Sequence, residues 1–169
     1  MTSPPPELVE WLHRYDPAVQ ALALGLRRVV LEEMAPCHEY VFAMRSAVVL
    51  LYGPTEHVMR DGICHISVLA KHVNLQFRRG IDLRDKYRVL RGTGKAMRHL
   101  TLNKLSELDR PEIREYLREA RRNAGLRRSR PPTVTDVITR VKGKTPSRVA
   151  SRPRPTKAWD QFGMPRKNA

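Results

Sequence analysis

The sequence predicts an α+β fold: an antiparallel sheet of about five strands packed against a long N-terminal helix and a closing C-terminal helix. Three observations carry that expectation. One stretch with apolar residues at helical spacing runs from Pro17 to Met34. Short apolar segments, separated by turn residues, follow between residues 39 and 102. A second helical stretch closes the patterned part near Arg122.

The elements follow in order. Glu7 to Tyr15 reads as a short helix, with Leu8, Trp11 and Leu12 on one face and Pro6 in its first turn. Asp16-Pro17 restarts the chain as a cap followed by a first-turn proline. Val19, Leu22, Leu26, Val29, Val30 and Met34 then form one apolar stripe, and Pro36 stops the helix. Glu39–Met44 is the first strand signal. Ala47–Tyr52 is the second, and its unbroken apolar run suits a central strand buried on both faces. Gly53-Pro54 turns the chain. Ile63–Ala70 and Val73–Arg78 read as an antiparallel hairpin around Lys71-His72. Ile81–Leu90 is ambiguous. Gly92-Thr93-Gly94-Lys95 is a tight turn, and His99-Leu100-Thr101-Leu102 is a fifth strand. Asp109 caps and Pro111 opens the closing helix Arg110–Arg122, whose inner face is Ile113, Tyr116, Leu117 and Ala120.

Charge divides the chain in two. It has 169 residues and a formal net charge of +15. Residues 126–169 hold 12 of the 32 basic residues and only 2 of the 17 acidic ones. Six of the 13 prolines lie there too. The expected organisation is therefore a domain over 1–125 and a basic tail over 126–169, mostly disordered from Ser129 onward because it is too apolar-poor to offset the entropy of ordering. Two exceptions stand out. Val134 to Val141 reads as about two helical turns, and Trp159 with Phe162 is an aromatic pair able to dock on the core or on a partner. Arg127, Arg128, Arg130, Arg140, Lys142, Lys144, Arg148, Arg152 and Arg154 are the residues expected to meet nucleic-acid phosphates.

Several classes fall away. The longest apolar run, Ala47–Tyr52, is far short of the roughly 20 residues a bilayer requires. The N-terminus lacks the basic start and apolar stretch of a secretory signal, so a cytoplasmic protein with no membrane partner is expected. Two cysteines, Cys37 and Cys64, exclude a disulfide scaffold and a four-thiolate zinc site, though one Cys37–Cys64 bridge stays open.

The candidate ligand site is the basic turn. Gly92-Thr93-Gly94-Lys95 fails the phosphate-loop pattern, which needs four residues between its glycines and a hydroxyl where Ala96 stands. It reads either as a turn with glycines at positive φ or as an anion site. In the second reading two glycines bare backbone N–H groups, Lys95, Arg98 and His99 add positive or polar groups, and Arg91 stands close in sequence. A carboxylate or phosphate is the natural guest. Arg98 and His99 point to opposite faces of a strand, so only one belongs to a given pocket. Arg45 pairs with Glu39 or lines a cleft. No metal is expected: Cys37-His38 and Cys64-His65 are adjacent pairs whose members face opposite ways, and His72 adds no zinc spacing. No cofactor motif and no catalytic nucleophile with local support is present, so an enzyme is the less favoured class.

The arrangement resembles the YdhG-like family, a domain of unknown function. The likeness lies in Pro17–Pro36 with Glu39-Tyr40-Val41-Phe42, in the hairpin Ile66–Phe77, and most specifically in Leu90-Arg91-Gly92-Thr93-Gly94-Lys95-Ala96-Met97-Arg98-His99-Leu100. It covers about residues 7–122 and leaves the tail unmatched. It implies a compact α+β fold with a helix-flanked sheet and, through some members, a frataxin-like iron chaperone. Three functions follow as expectations: a module binding a small anionic ligand or peptide at the basic turn, a nucleic-acid-associated protein acting through its tail, and an iron chaperone.

Overall fold

Helix α2 (Pro17–Met34) is the organising element. Its Leu22, Leu26, Val29, Val30 and Met34 are all within a few per cent of full burial. Each such side chain contributes about 1.5–3 kcal/mol on leaving water. A computed structural model describes residues 2–126 and 137–142 of the chain. Pro17 occupies the first turn as expected, while Asp16 stands at the cap position without a side-chain hydrogen bond. The short helix α1 (Pro6–Leu12) packs beside it through Leu8, Trp11 and Leu12.

Among the described residues six strands form one sheet: β1 (Cys37–Ala43), β2 (Val48–Gly53), β3 (Cys64–Val68), β4 (Val73–Phe77), β5 (Arg98–Leu102) and β6 (Val137–Lys142). Their spatial order is β5-β4-β3-β2-β1-β6. The first five pair antiparallel in a meander, and β6 pairs parallel with β1. The expected purely antiparallel, roughly five-stranded sheet is therefore corrected to a mixed sheet of six. The helical turns read over Val134–Val141 are likewise corrected, because the described part is strand. Val137, Thr139 and Val141 alternate with the more exposed Ile138, Arg140 and Lys142, the period of two that a strand requires.

The sheet's two faces differ. Val41, Val48, Leu50, Tyr52, Ile66, Val68, Val73, Leu75, Phe77, Leu100 and Leu102 join α1, α2 and α4 in the main core. On the other face Ala47, Val49 and Leu51 form a smaller cluster with Val58 of α3 (Val58–Asp61). Ser67 and Gln76 are buried there too, with the Gln76 amide donating to the Ser67 hydroxyl at 3.0 Å. Strand β2 is buried along its whole length, as its apolar run required.

Helix α4 (Pro111–Asn123) closes the core through Ile113, Tyr116, Leu117 and Ala120. Its cap is Arg110 rather than Asp109, and no side chain caps it. Glu33 of α2 ties the two helices together, accepting from Arg114 at 2.9 Å and from Arg118 at 3.0 and 2.8 Å. The ambiguous Ile81–Leu90 segment opens with a 3₁₀ turn, Gly80–Asp82, and continues without regular structure. Asp85 pins it. Its carboxylate accepts the Val89 and Leu90 N–H groups at 3.1 Å and the Tyr116 hydroxyl at 2.5 Å. Cys37 and Cys64 are both buried and in no disulfide, so the bridge left open by the sequence is not formed.

Candidate functional site

The register places the sequence-derived residues. Arg98 opens β5 opposite Phe77, which pairs with Cys64, itself opposite Tyr52. The basic turn thus sits at that end of the sheet. Arg45 lies between Ala43 and Val48, at the end marked by Val68, Val73 and Leu102. A strand of five residues, about 15 Å long, separates the two ends. Arg45 therefore shares no pocket with Lys95 or Arg98. It does not pair with Glu39 either, because that carboxylate is buried against Arg27 at 2.8 Å. The pairing expected with Glu39 is corrected, and Arg45 stands apart from the basic turn. The cause is topological: a turn between the first two strands cannot reach the opposite end of a meander.

Within the turn, backbone bonds dominate. Arg91 and His99 exchange N–H···O bonds of 2.8 Å, closing a loop over residues 92–98. Gly92 has a φ of +124°, a conformation that favours glycine, whereas Gly94 does not take positive φ. Arg98 is turned back on its own loop, donating to the Gly94 and Met97 carbonyls at 2.7 Å. Thr93 and Lys95 are exposed. His99 is half-buried on the opposite face from Arg98, and burial, then the nearby His72, holds its pKa below the ordinary histidine value. The turn presents Lys95 outward and spends Arg98 on its own carbonyls, so these cations do not gather round one point.

The turn instead borders a cleft. Ala96 lines it, and its carbonyl accepts the Ile81 N–H at 2.9 Å. Gly80 makes this approach possible: a Cβ there would stand 2.5 Å from the Arg98 Cβ and 2.7 Å from its backbone nitrogen. The cleft has a volume of about 370 Å³, within the usual range for small-molecule sites. Its floor is apolar, built from Ile63, Phe77, Leu83 and Ala120. Its polar members include Arg60, Arg78, Arg79, Asp61 and Asn123.

The three arginines differ in their partners. Arg60 grips Asp61 with two bonds of 2.7 and 3.0 Å, and these bonds and that of Thr55 hold the Asp61 carboxyl at a pKa of about 2. Arg79 pairs with Asp82 at 2.5 Å. Arg78 donates to the Met59 carbonyl at 2.6 Å and meets no carboxylate among the described residues. The cleft also lies at the C-terminal end of α4, whose carbonyls carry partial negative charge. Arg121 and Arg122 in the last turn offset it.

The sequence reading missed Arg60, Arg78, Arg79 and Asn123. A signal existed: Arg78-Arg79-Gly80 follows directly on a strand, and Arg60-Asp61-Gly62 ends one residue before another. Only the register of β3 and β4 brings the two together. Of the residues expected to meet nucleic acid, Arg140 and Lys142 lie on β6. Arg140 is engaged by Tyr40 at 2.9 Å and Glu56 at 3.0 Å. Arg127, Arg128, Arg130, Lys144, Arg148, Arg152 and Arg154 lie outside the described residues, as do Trp159 and Phe162. Among the described residues no group of three or more His, Cys, Asp or Glu side chains could hold a metal ion. None of the described helices is long and apolar enough to cross a membrane. No family model, curated protein or solved structure is significantly similar to the chain.

Proposed function

We propose that the chain is a non-enzymatic binding module of YdhG-like α+β architecture, taking a small anionic ligand or an acidic peptide in the cleft beside its basic turn. One observation carries the reading. Arg78 is an exposed lining residue of the cleft that meets no carboxylate among the described residues, and Arg60 and Arg79 line the same cleft. A guanidinium without a carboxylate partner offers parallel donors that fit a carboxylate or phosphate. Thermal unfolding of the full chain with increasing phosphate, acetate or succinate tests it. The midpoint rises with anion concentration if the folded state binds. Arg78→Ala removes most of that rise, and Lys95→Ala removes little. The absence of a rise with every anion, or a rise untouched by Arg78→Ala, defeats the reading.

A second reading is supported by the charge of residues 126–169, with 12 basic side chains against 2 acidic. It is sequence-independent association with nucleic-acid phosphates, weakening steeply as salt rises. Because β6 belongs to the sheet, the informative truncation begins at residue 143. Duplex DNA affinity unchanged by that truncation argues against a role for residues 143–169. The iron-chaperone reading rests on family resemblance alone, and ferrous titration of the full chain tests it directly.

A further inference from the structure

We propose that residues 143–169 of this chain close the second face of the sheet, with Trp159 and Phe162 laid over Ala47, Val49 and Leu51. The proposal is independent of the anion-binding reading.

The register defines that face. Phe42, Val49 and Ser67 stand in one cross-strand row that begins at Lys142, and Tyr40, Leu51, His65 and Gln76 stand in the next. Helices α1, α2 and α4 pack on the opposite face, in the main core. Among the described residues this face carries one α-helix, α3, of four residues. Such a helix is about 6 Å long. It is seated at the end of β2, where a Cβ added to Gly53 would lie 3.3 Å from Cγ1 of Val58. Val49 is a further four positions along β2, about 13 Å away. Tyr40, Phe42, Met44 and Leu69, all half-buried, pack at the sides of the cluster. Yet Ala47, Val49 and Ser67 are each only 2% exposed, and Gln76 3%. A solvated sheet face leaves its side chains part-exposed, so burial this deep calls for a layer above them. The polar groups beneath are already answered. Gln76 donates to Ser67 at 3.0 Å and Thr101 to Asn74 at 2.8 Å, so an apolar cover does not strand them.

Chain continuity picks the occupant. Strand β6 ends at Lys142, which pairs with Phe42 in the first of these rows, and residues 143–169 continue from that point. Lys142 and Val49 are two strand spacings apart, about 10 Å. Residues 143–158 reach roughly 50 Å when extended, far enough to set Trp159 anywhere on the face. Phe162 follows Trp159 by three positions, so both fall within one patch. Aromatic side chains of this size bury about 150–250 Å² each, an area that suits a cluster of a few aliphatic residues. The tether makes the contact intramolecular, so a modest affinity suffices to hold it. Docking also lays the basic stretch over residues 144–157 along this side of the sheet.

Nuclear magnetic resonance on the unaltered full chain tests the proposal. Magnetisation transfer from the Trp159 indole to the Val49 and Leu51 methyls is expected, at a strength independent of protein concentration. Trp159→Ala combined with Phe162→Ala is expected to raise binding of an apolar dye several-fold. The Trp11 indole, in the main core, should keep its native shift in that variant, which separates an uncovered face from an unfolded chain. A Trp159 indole that contacts no residue of this face overturns the proposal, as does dye binding unchanged in the double variant. Contacts that fade on dilution also overturn it, and assign the cover to a second copy of the chain.

Discussion

Arg27 and Glu39 meet through two parallel hydrogen bonds, 2.9 and 2.8 Å long, with both side chains almost wholly shut from solvent. The same carboxylate accepts the Tyr52 hydroxyl at 3.0 Å and the Thr139 hydroxyl at 2.8 Å. Two bonds to each oxygen satisfy the group fully. One residue thereby joins α2, β1, β2 and β6. The charge pair settles where the helix crosses the sheet, and Thr139 recruits the outermost strand to it.

Removing one partner of this pair strands the other. Glu39→Ala is expected to cost about 3–5 kcal/mol, because Arg27 is left buried and uncompensated. The double variant Arg27→Met, Glu39→Leu should recover most of that loss. Urea unfolding measures both. Equal losses in the single and double variants would show that packing, not the charge, dominates here.

Thr139 probes the sixth strand separately. Thr139→Val keeps shape and strand propensity but removes the donor to Glu39. A loss of about 1 kcal/mol is expected. Amide exchange should quicken along Val137–Lys142 and leave β3 and β4 unchanged. Uniform quickening across the sheet would contradict a role confined to the edge.

His65 makes stability depend on pH. Burial, and then the charge of Arg78, lower its pKa from the ordinary 6.5 to about 4. Between these values the unfolded chain binds a proton that the folded chain refuses, so stability falls with acidification. The contribution is complete above about pH 6.5 and is lost progressively as pH drops toward 4, up to about 3 kcal/mol in all. Glu33 adds a second loss lower down. Burial pushes its carboxyl up, but Arg118 and Arg114 hold it below the ordinary value, so its contribution is lost only under more acid conditions. Unfolding midpoints from pH 7 to 4 should fall steeply in the native chain and less steeply in His65→Gln. Parallel curves would contradict the assignment.

Gly80→Ala tests the link between turn and cleft. Its Cβ would collide with the backbone of Arg98, a contact that no rotamer change relieves. A cost of about 1–3 kcal/mol is expected. The 91–98 loop must also move away from the 3₁₀ turn, so anion binding in the cleft should weaken more than the folding loss explains. Unaltered binding in a destabilised variant would uncouple the turn from the cleft.

Apolar spacing along the chain was enough to specify most of the secondary structure. Val19, Leu22, Leu26, Val29 and Val30 define α2, and the unbroken run after Ala47 defines the central strand. Proline 17 and Pro111 mark helix starts, since a missing N–H costs nothing in a first turn. Those signals are local, each decided within a few residues. Strand β6 carried the same alternation, but its basic, proline-rich surroundings masked it. Its place beside β1 depends on Cys37, Glu39 and Val41, about 100 residues away. The site divides in the same way. Composition foretold a cationic surface and drew attention to residues 91–99. Whether charges converge is a matter of register and hydrogen-bond competition: Arg98 found carbonyls in its own loop, and Arg45 was carried to the far end of the sheet. Arg60 and Arg78, 18 positions apart, came to border one cleft because β3 and β4 pair as they do. Local pattern fixes what a segment becomes, and only the packed sheet decides which side chains can act together.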